Sequence, residues 1–136
     1  MIRVGFILYG INNNWLGGIN YFFNLIQAII DMPDRKIEPL LFAGHAIQNS
    51  MPHKAVTEYT HFSKLFDTWN SKKLHQLHYA CYNLLTNILL RKYRIAVISH
   101  ANFSGLRLPT LVKLPAIGWI PDFQHKHLPH FFSQEE

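Results

Sequence analysis

Residues 2–9, Ile-Arg-Val-Gly-Phe-Ile-Leu-Tyr, are apolar almost without a break, and they run straight into the glycine-bounded loop Gly10-Ile-Asn-Asn-Asn-Trp-Leu-Gly-Gly18. A continuous apolar run of this kind suits a central parallel strand covered on both faces. Behind the loop, Phe22, Leu25, Ile26 and Ile29 recur at helical spacing against a polar stripe of Asn20, Asn24, Gln27 and Asp31, so residues 19–31 read as an amphipathic helix. Burying those four apolar side chains contributes on the order of 6–12 kcal/mol before entropy. The unit is the first strand-loop-helix of an α/β domain. Pro33 and Asp34 stop the helix.

The loop has a definite chemistry. Gly17 and Gly18 lack a Cβ, so the backbone is free to take positive φ there and an anion can approach the main chain. The following helix offers unpaired N–H groups and the positive end of its dipole at the same place, which together make a phosphate cradle. The spacing is neither the dinucleotide fingerprint nor a P-loop. A purely conformational reading is that Gly10 ends the strand and Gly17-Gly18 turn the chain into the helix.

The remaining elements follow by pattern. Residues 37–43 form a second strand ending at Gly44, and 56–62 alternate loosely as a short third. Asn70 or Ser71 caps a long helix with Leu74, Leu77, Cys81, Leu84, Leu85 and Ile88 as its buried stripe, opposite Lys73, Gln76, Asn83 and Asn87. On that reading Cys81 is a core residue. Residues 95–99 form a fourth strand delivering His100, Asn102 and Ser104 to its edge. Residues 115–120 form a fifth, delivering Pro121, Asp122, Gln124 and His125. The expected fold is a Rossmann-like parallel sheet with helices on both faces, and ligands then bind outside the carboxyl ends of the strands.

With 136 residues the chain is one domain's worth, able to bury roughly two-thirds of its unfolded surface. A hydrophobic fraction of 49% with only 15% charged residues excludes a disordered chain. The formal charge of +5, with Lys and Arg scattered, favours anionic partners such as nucleotide phosphates or a lipid headgroup surface. No basic stripe interleaved with aromatics argues for nucleic acid. The single cysteine excludes an internal disulfide and fits a reducing, cytoplasmic compartment. The N-terminal apolar run lacks a cleavage site, and no stretch approaches the ~18 apolar residues of a membrane span.

Carboxylates are scarce: apart from the terminal pair there are Asp31, Asp34, Glu38, Glu58, Asp67 and Asp122, and Asp122 alone directly follows a convincing strand. There is no Gly-x-Ser-x-Gly elbow and no Asp-x-Asp pair. His125, His127 and His130 lack a fourth ligand for a structural zinc, so no metal is expected. What remains is a phosphate loop, one carboxylate and several imidazole and amide side chains, a set suited to binding and electrostatic stabilisation.

Trp15-Leu-Gly-Gly-Ile-Asn-Tyr21, with Asn24-Leu25 one turn later, resembles the first loop and helix of the retaining GT-B nucleotide-sugar glycosyltransferases of family 4. Gly118-Trp-Ile-Pro-Asp-Phe-Gln-His-Lys-His-Leu-Pro-His-Phe-Phe-Ser133 looks like the Trp-Ile-Pro-Asp-Phe-Gln-His segment of one subgroup. The likeness brackets the chain but does not extend to residues 45–94. It implies that residues 1–136 are the N-terminal, acceptor-side domain, incomplete at the C-terminal end. The companion donor domain, with its spaced glutamate pair, is absent, and the fragment alone is expected to be inactive. Ser133 as N-cap and Glu136 three residues on fit a capping box, as though a helix begins where the sequence stops.

By the same resemblance Gly17 and Gly18 meet the donor diphosphate, and Asp122 lies near the transferred sugar. Asn14, Trp15, Asn102, Gln124 and His125 fall on the acceptor side. Many family members place a histidine before that aspartate where this chain has Pro121, leaving open whether His100 or His125 supplies the imidazole. The implied reaction is metal-free transfer, with retention, from a nucleoside-diphosphate sugar to a glycan or lipid-linked acceptor, with peripheral membrane contact as an accompanying expectation. The alternatives are a non-catalytic nucleotide- or phosphate-binding module and an interaction domain using Trp15, Phe123, Phe131 and Phe132.

Overall fold

A computed structural model of the chain describes residues 1–10, 16–50, 54–67, 75–101 and 114–119, with backbone alone for 50 and 75–81. Five strands make one all-parallel sheet: β1 Ile2–Leu8, β2 Ile37–Ala43, β3 Thr60–Phe62, β4 Val97–Ser99 and β5 Ala116–Ile117, in the spatial order β3-β2-β1-β4-β5. The helices are α1 Leu16–Asp31, α2 Lys54–Glu58 and α3 His75–Lys92, with short 3₁₀ segments at His45–Ser50 and Lys64–Phe66. The α/β, Rossmann-like expectation holds, and the strand order reverses at β1.

Side chains alternate across β1 as a pleated strand demands. Val4, Phe6 and Leu8 join Ile19, Phe22, Phe23, Ile26 and Ile29 of α1 on one face, together with Leu41 and Ala43. Ile7 and Tyr9 face the other way, where Phe42, Phe66, Tyr82, Leu90, Ile95 and Ile98 assemble. Both faces of the sheet are therefore covered, which is why residues 2–9 show no hydrophobic alternation. Gly5 serves the second face, since a Cβ there would stand 3.0 Å from Ile95 Cγ2 and 3.6 Å from Leu90 Cδ2. Register is held by directly paired Arg3 and Glu38, joined at 2.7 Å, with Arg3 also donating to the Tyr93 carbonyl at 3.0 Å.

Three expectations are corrected. Residues 56–62 are not one strand: Lys54–Glu58 is helical and only Thr60–Phe62 pairs, with β2. Val56 and Tyr59 are as compatible with one helical turn as with a strand, and burial of Val56 in the α1-side core decides between them. Helix α1 begins three residues before the predicted residue 19, so Gly17 and Gly18 sit inside its first turn, and the glycine with positive φ is Gly10, at 67°.

The third correction concerns α3, which is rotated relative to the expected stripe. Tyr82, Thr86 and Leu90 are buried, while Leu84, Leu85 and Ile88 are about half exposed and Asn83 and Asn87 are half-buried. Tyr82 packs on Tyr9 with centroids 4.3 Å apart and edge-on to Phe66 at 6.0 Å. At the helix end, the Ile95 N–H returns to the Leu90 carbonyl and Arg94 takes a left-handed φ of 54°. An aromatic anchor in mid-helix and this closing turn together set the rotation. The predicted caps, Leu74, and the side chains of His75, His78 and Cys81 lie outside the described residues, as does the capping box at 133–136.

Candidate active site at the strand-order switch

In an open parallel sheet, reversal of strand order leaves a crevice at the carboxyl ends of the two strands flanking the switch, here β1 and β4. On the β1 side the chain leaves Leu8, turns at Gly10, whose N–H donates to the Phe66 carbonyl at 2.9 Å, and re-enters order at the first turn of α1. That turn carries no acidic residue. Gly17 is exposed, and among the described residues a Cβ built there would meet nothing within 4 Å.

On the β4 side the strand ends at Ser99, and His100 follows with a left-handed φ of 58°. Histidine is one of the few non-glycine residues that tolerates this region, and strain there is characteristic of functional positions. His100 is 7% exposed, which makes it one of only two buried polar side chains among the described residues. Its Nε2 lies 3.1 Å from the Tyr21 hydroxyl and its Nδ1 2.9 Å from Ser99 Oγ. Phe22, Phe6 and Trp119 surround the ring at centroid distances of 5.0, 5.6 and 4.9 Å.

Burial pushes the His100 pKa below its ordinary value of 6.5, so the ring is neutral at neutral pH. A neutral imidazole has one donor and one acceptor, and a hydroxyl faces each nitrogen, so either tautomer is satisfied. A proton or hydrogen bond can thus be exchanged at Nε2 while Ser99 balances Nδ1. Tyr21 also stacks on Trp119 at 4.6 Å with an interplanar angle of 19°. This ties α1 to the segment after β5 and leaves a partly exposed aromatic platform beside the imidazole.

Of the predicted site residues, Gly17, Gly18 and His100 fall within the description and flank the same switch. Asn14, Trp15, Asn102, Asp122, Gln124 and His125 lie outside the described residues, as do Ser104, His127 and His130. The sequence reading missed Tyr21, Ser99 and Trp119 as partners of His100. A signal for Tyr21 existed, since it lies off the apolar stripe of α1, one turn beyond Gly17 and Gly18. Asp67, a spare carboxylate in the sequence, has a structural use: it accepts from the Ala46 N–H at 3.1 Å and occupies the place that a Cβ on Gly44 would need.

Among the described residues no group of three or more His, Cys, Asp or Glu side chains is arranged to hold a metal ion. Nor is any described helix long and apolar enough to cross a membrane. No family model, curated protein or solved structure matches the chain.

Proposed function

We propose that this chain is the acceptor-side half of a retaining, GT-B type glycosyltransferase that uses a nucleoside-diphosphate sugar. The observation that carries the reading is His100: a strained, buried, neutral imidazole at the strand-order switch, beside an aromatic platform and packed against the helix whose first turn carries the exposed Gly17. The resemblance of residues 15–21 and 118–133 to family 4 supplies the reaction class. In that reaction the bond between the sugar's anomeric carbon and the diphosphate oxygen breaks, and a bond to the acceptor oxygen forms on the same face. The acceptor's proton leaves with the phosphate.

Each described group has a role in this scheme. The first turn of α1 presents unpaired N–H groups and its positive dipole end to the departing phosphate, where negative charge develops. Among the described residues a Cβ at position 17 would meet nothing within 4 Å. That surface has room for a phosphate to reach the first-turn N–H groups. Tyr21 and Trp119 offer a stacking face to the apolar side of a sugar ring, and His100, held by Ser99, orients the exposed Tyr21 hydroxyl for a hydrogen bond to a sugar hydroxyl.

The test is retention-specific sugar transfer by the enzyme containing both halves, assayed with a panel of UDP- and GDP-hexoses. Gly17→Val is expected to lower turnover by about 100-fold or more with the fold intact by circular dichroism. Unchanged kinetics would remove the phosphate role of α1. If the 136-residue chain itself binds free UDP or GDP tightly and no transfer is found, the binding-module reading replaces this one.

A further inference from the structure

Neighbouring residues of a strand turn their side chains to opposite faces of the sheet. In β4, Val97 packs with the α1-side core and Ile98 with the α3-side core, so Ser99 points to the α1 side and a regular strand would turn the next residue away. His100 does not turn away. Its left-handed φ of 58° brings the ring back to the α1 side, against Phe6 and Phe22, with Nδ1 2.9 Å from Ser99 Oγ. The strained backbone thus allows a hydrogen bond between adjacent side chains that a regular strand holds apart. On the other side of the ring, Nε2 faces the Tyr21 hydroxyl at 3.1 Å, and Tyr21, 36% exposed, carries the series to the surface beside Trp119.

We propose that these groups form a one-way relay in which Tyr21 Oη–H donates to His100 Nε2 and His100 Nδ1–H donates to Ser99 Oγ, leaving the Tyr21 oxygen as an acceptor that reads a hydroxyl of the ligand. A neutral imidazole donates from one nitrogen and accepts at the other, so the two hydroxyls compete for the accepting one. A phenol is far more acidic than an aliphatic alcohol, which makes Tyr21 the better donor and Ser99 the better acceptor. Nδ1 therefore keeps the proton. With its own proton committed inward, Tyr21 offers lone pairs to the outside. A ligand hydroxyl donates to them, and each bond in the series polarises the next. An oxygen with no proton to give, whether carboxylate, phosphate or ether, would face another acceptor there and is refused. Ser99 is a positioning residue: it acts through the imidazole and sets the polarity of the group that meets the ligand. The direction of the relay stands apart from the glycosyltransferase reading, whereas a sugar as the ligand rests on it.

Long-range proton–nitrogen NMR spectra of the 136-residue chain at about pH 7.5 read the tautomer directly, with the His100 signals assigned by their loss in His100→Gln. A protonated Nδ1 and an unprotonated Nε2 are expected. Ser99→Ala leaves Nδ1–H without its acceptor and should move the proton to Nε2 with circular dichroism unchanged. Ser99→Thr, which keeps the hydroxyl and suits a strand, should restore the parent pattern. A parent ring protonated at Nε2, or a tautomer unmoved in Ser99→Ala, overturns the relay; if Ser99→Ala fails to fold, the parent spectrum and Ser99→Thr decide it. The ligand is read by titrating the methyl glycosides of glucose, mannose and galactose. At least one should perturb the His100 and Trp119 signals, and bind Tyr21→Phe about threefold to tenfold more weakly. A fully O-methylated glucoside keeps every oxygen but has no proton to give, and should leave those signals unmoved. Equal binding of that compound, or equal binding by Tyr21→Phe, overturns the acceptor role of Tyr21. With Nδ1 protonated, no response to any glycoside overturns the sugar as ligand while the relay stands.

Discussion

Helices α1 and α3 are of similar length, 16 and 18 residues, and cover opposite faces of one sheet, yet they use their apolar residues differently. In α1 the apolar positions Ile19, Phe22, Phe23, Ile26 and Ile29 turn inward as one stripe, and the exposed side carries Asn20, Asn24, Ala28 and Asp31, with Leu16 and Tyr21 exposed near the helix start. In α3 the large apolar residues divide between two faces, and the buried one includes a threonine. A helix with one stripe has one way to lie on a sheet. A helix with two has a choice, and its neighbours make it.

The sharpest way to break this contrast is truncation on the α1 side. Ile26→Ala, at a fully buried position, should destabilise the domain by about 2–5 kcal/mol, read from the urea midpoint. A loss below about 1 kcal/mol would mean that α1 is not the firmly packed helix described. Next in size is Gly5→Val, which drives a branched side chain toward Ile95 and Leu90 where α3 closes on the sheet, and should cost about 1–3 kcal/mol by overpacking. Full stability in that variant would show that the α3 side yields where the α1 side does not.

A smaller effect comes from one histidine on each face. Burial holds His100 below 6.5. At His61, which lies 2.9 Å from the Tyr93 hydroxyl, burial comes first and the positive charges of Lys92 and His45 lower the pKa further. The unfolded chain takes up these protons near pH 6.5 and the folded chain only at lower pH. Each histidine therefore contributes stability that is complete above pH 6.5 and is lost as pH falls from there through the folded pKa. Thermal melts between pH 7.5 and about 4.5 should show this slope, reduced in His100→Gln and in His61→Gln. Added salt should reduce the His61 share, which is partly Coulombic, and leave the His100 share unchanged.

The smallest expected effect belongs to the outer side of α3, where Ile88→Ala should change stability by no more than about 0.5 kcal/mol. A loss comparable to that of Ile26→Ala would place Ile88 in a core and cancel the difference between the two helices.

The amino-acid sequence by itself determined the parallel α/β framework: the apolar run of β1, the single-stripe period of α1 and the second strand at Ile37–Ala43. In these segments the local pattern admits one solution, because a strand covered on both faces and a one-sided helix each have a distinctive period. Tertiary structure alone decided three things. It chose between the stripes of α3, because Tyr82 fits against Tyr9 and Phe66 and periodicity does not record that fit. It divided residues 54–62 into a helical turn and a strand, because burial of Val56 outweighs an ambiguous five-residue pattern. And it gave His100 its partners, since Tyr21 is 79 residues away in the chain and Trp119 follows another strand. A contact between segments so far apart leaves no periodic trace in the sequence; only closure of the sheet brings them together.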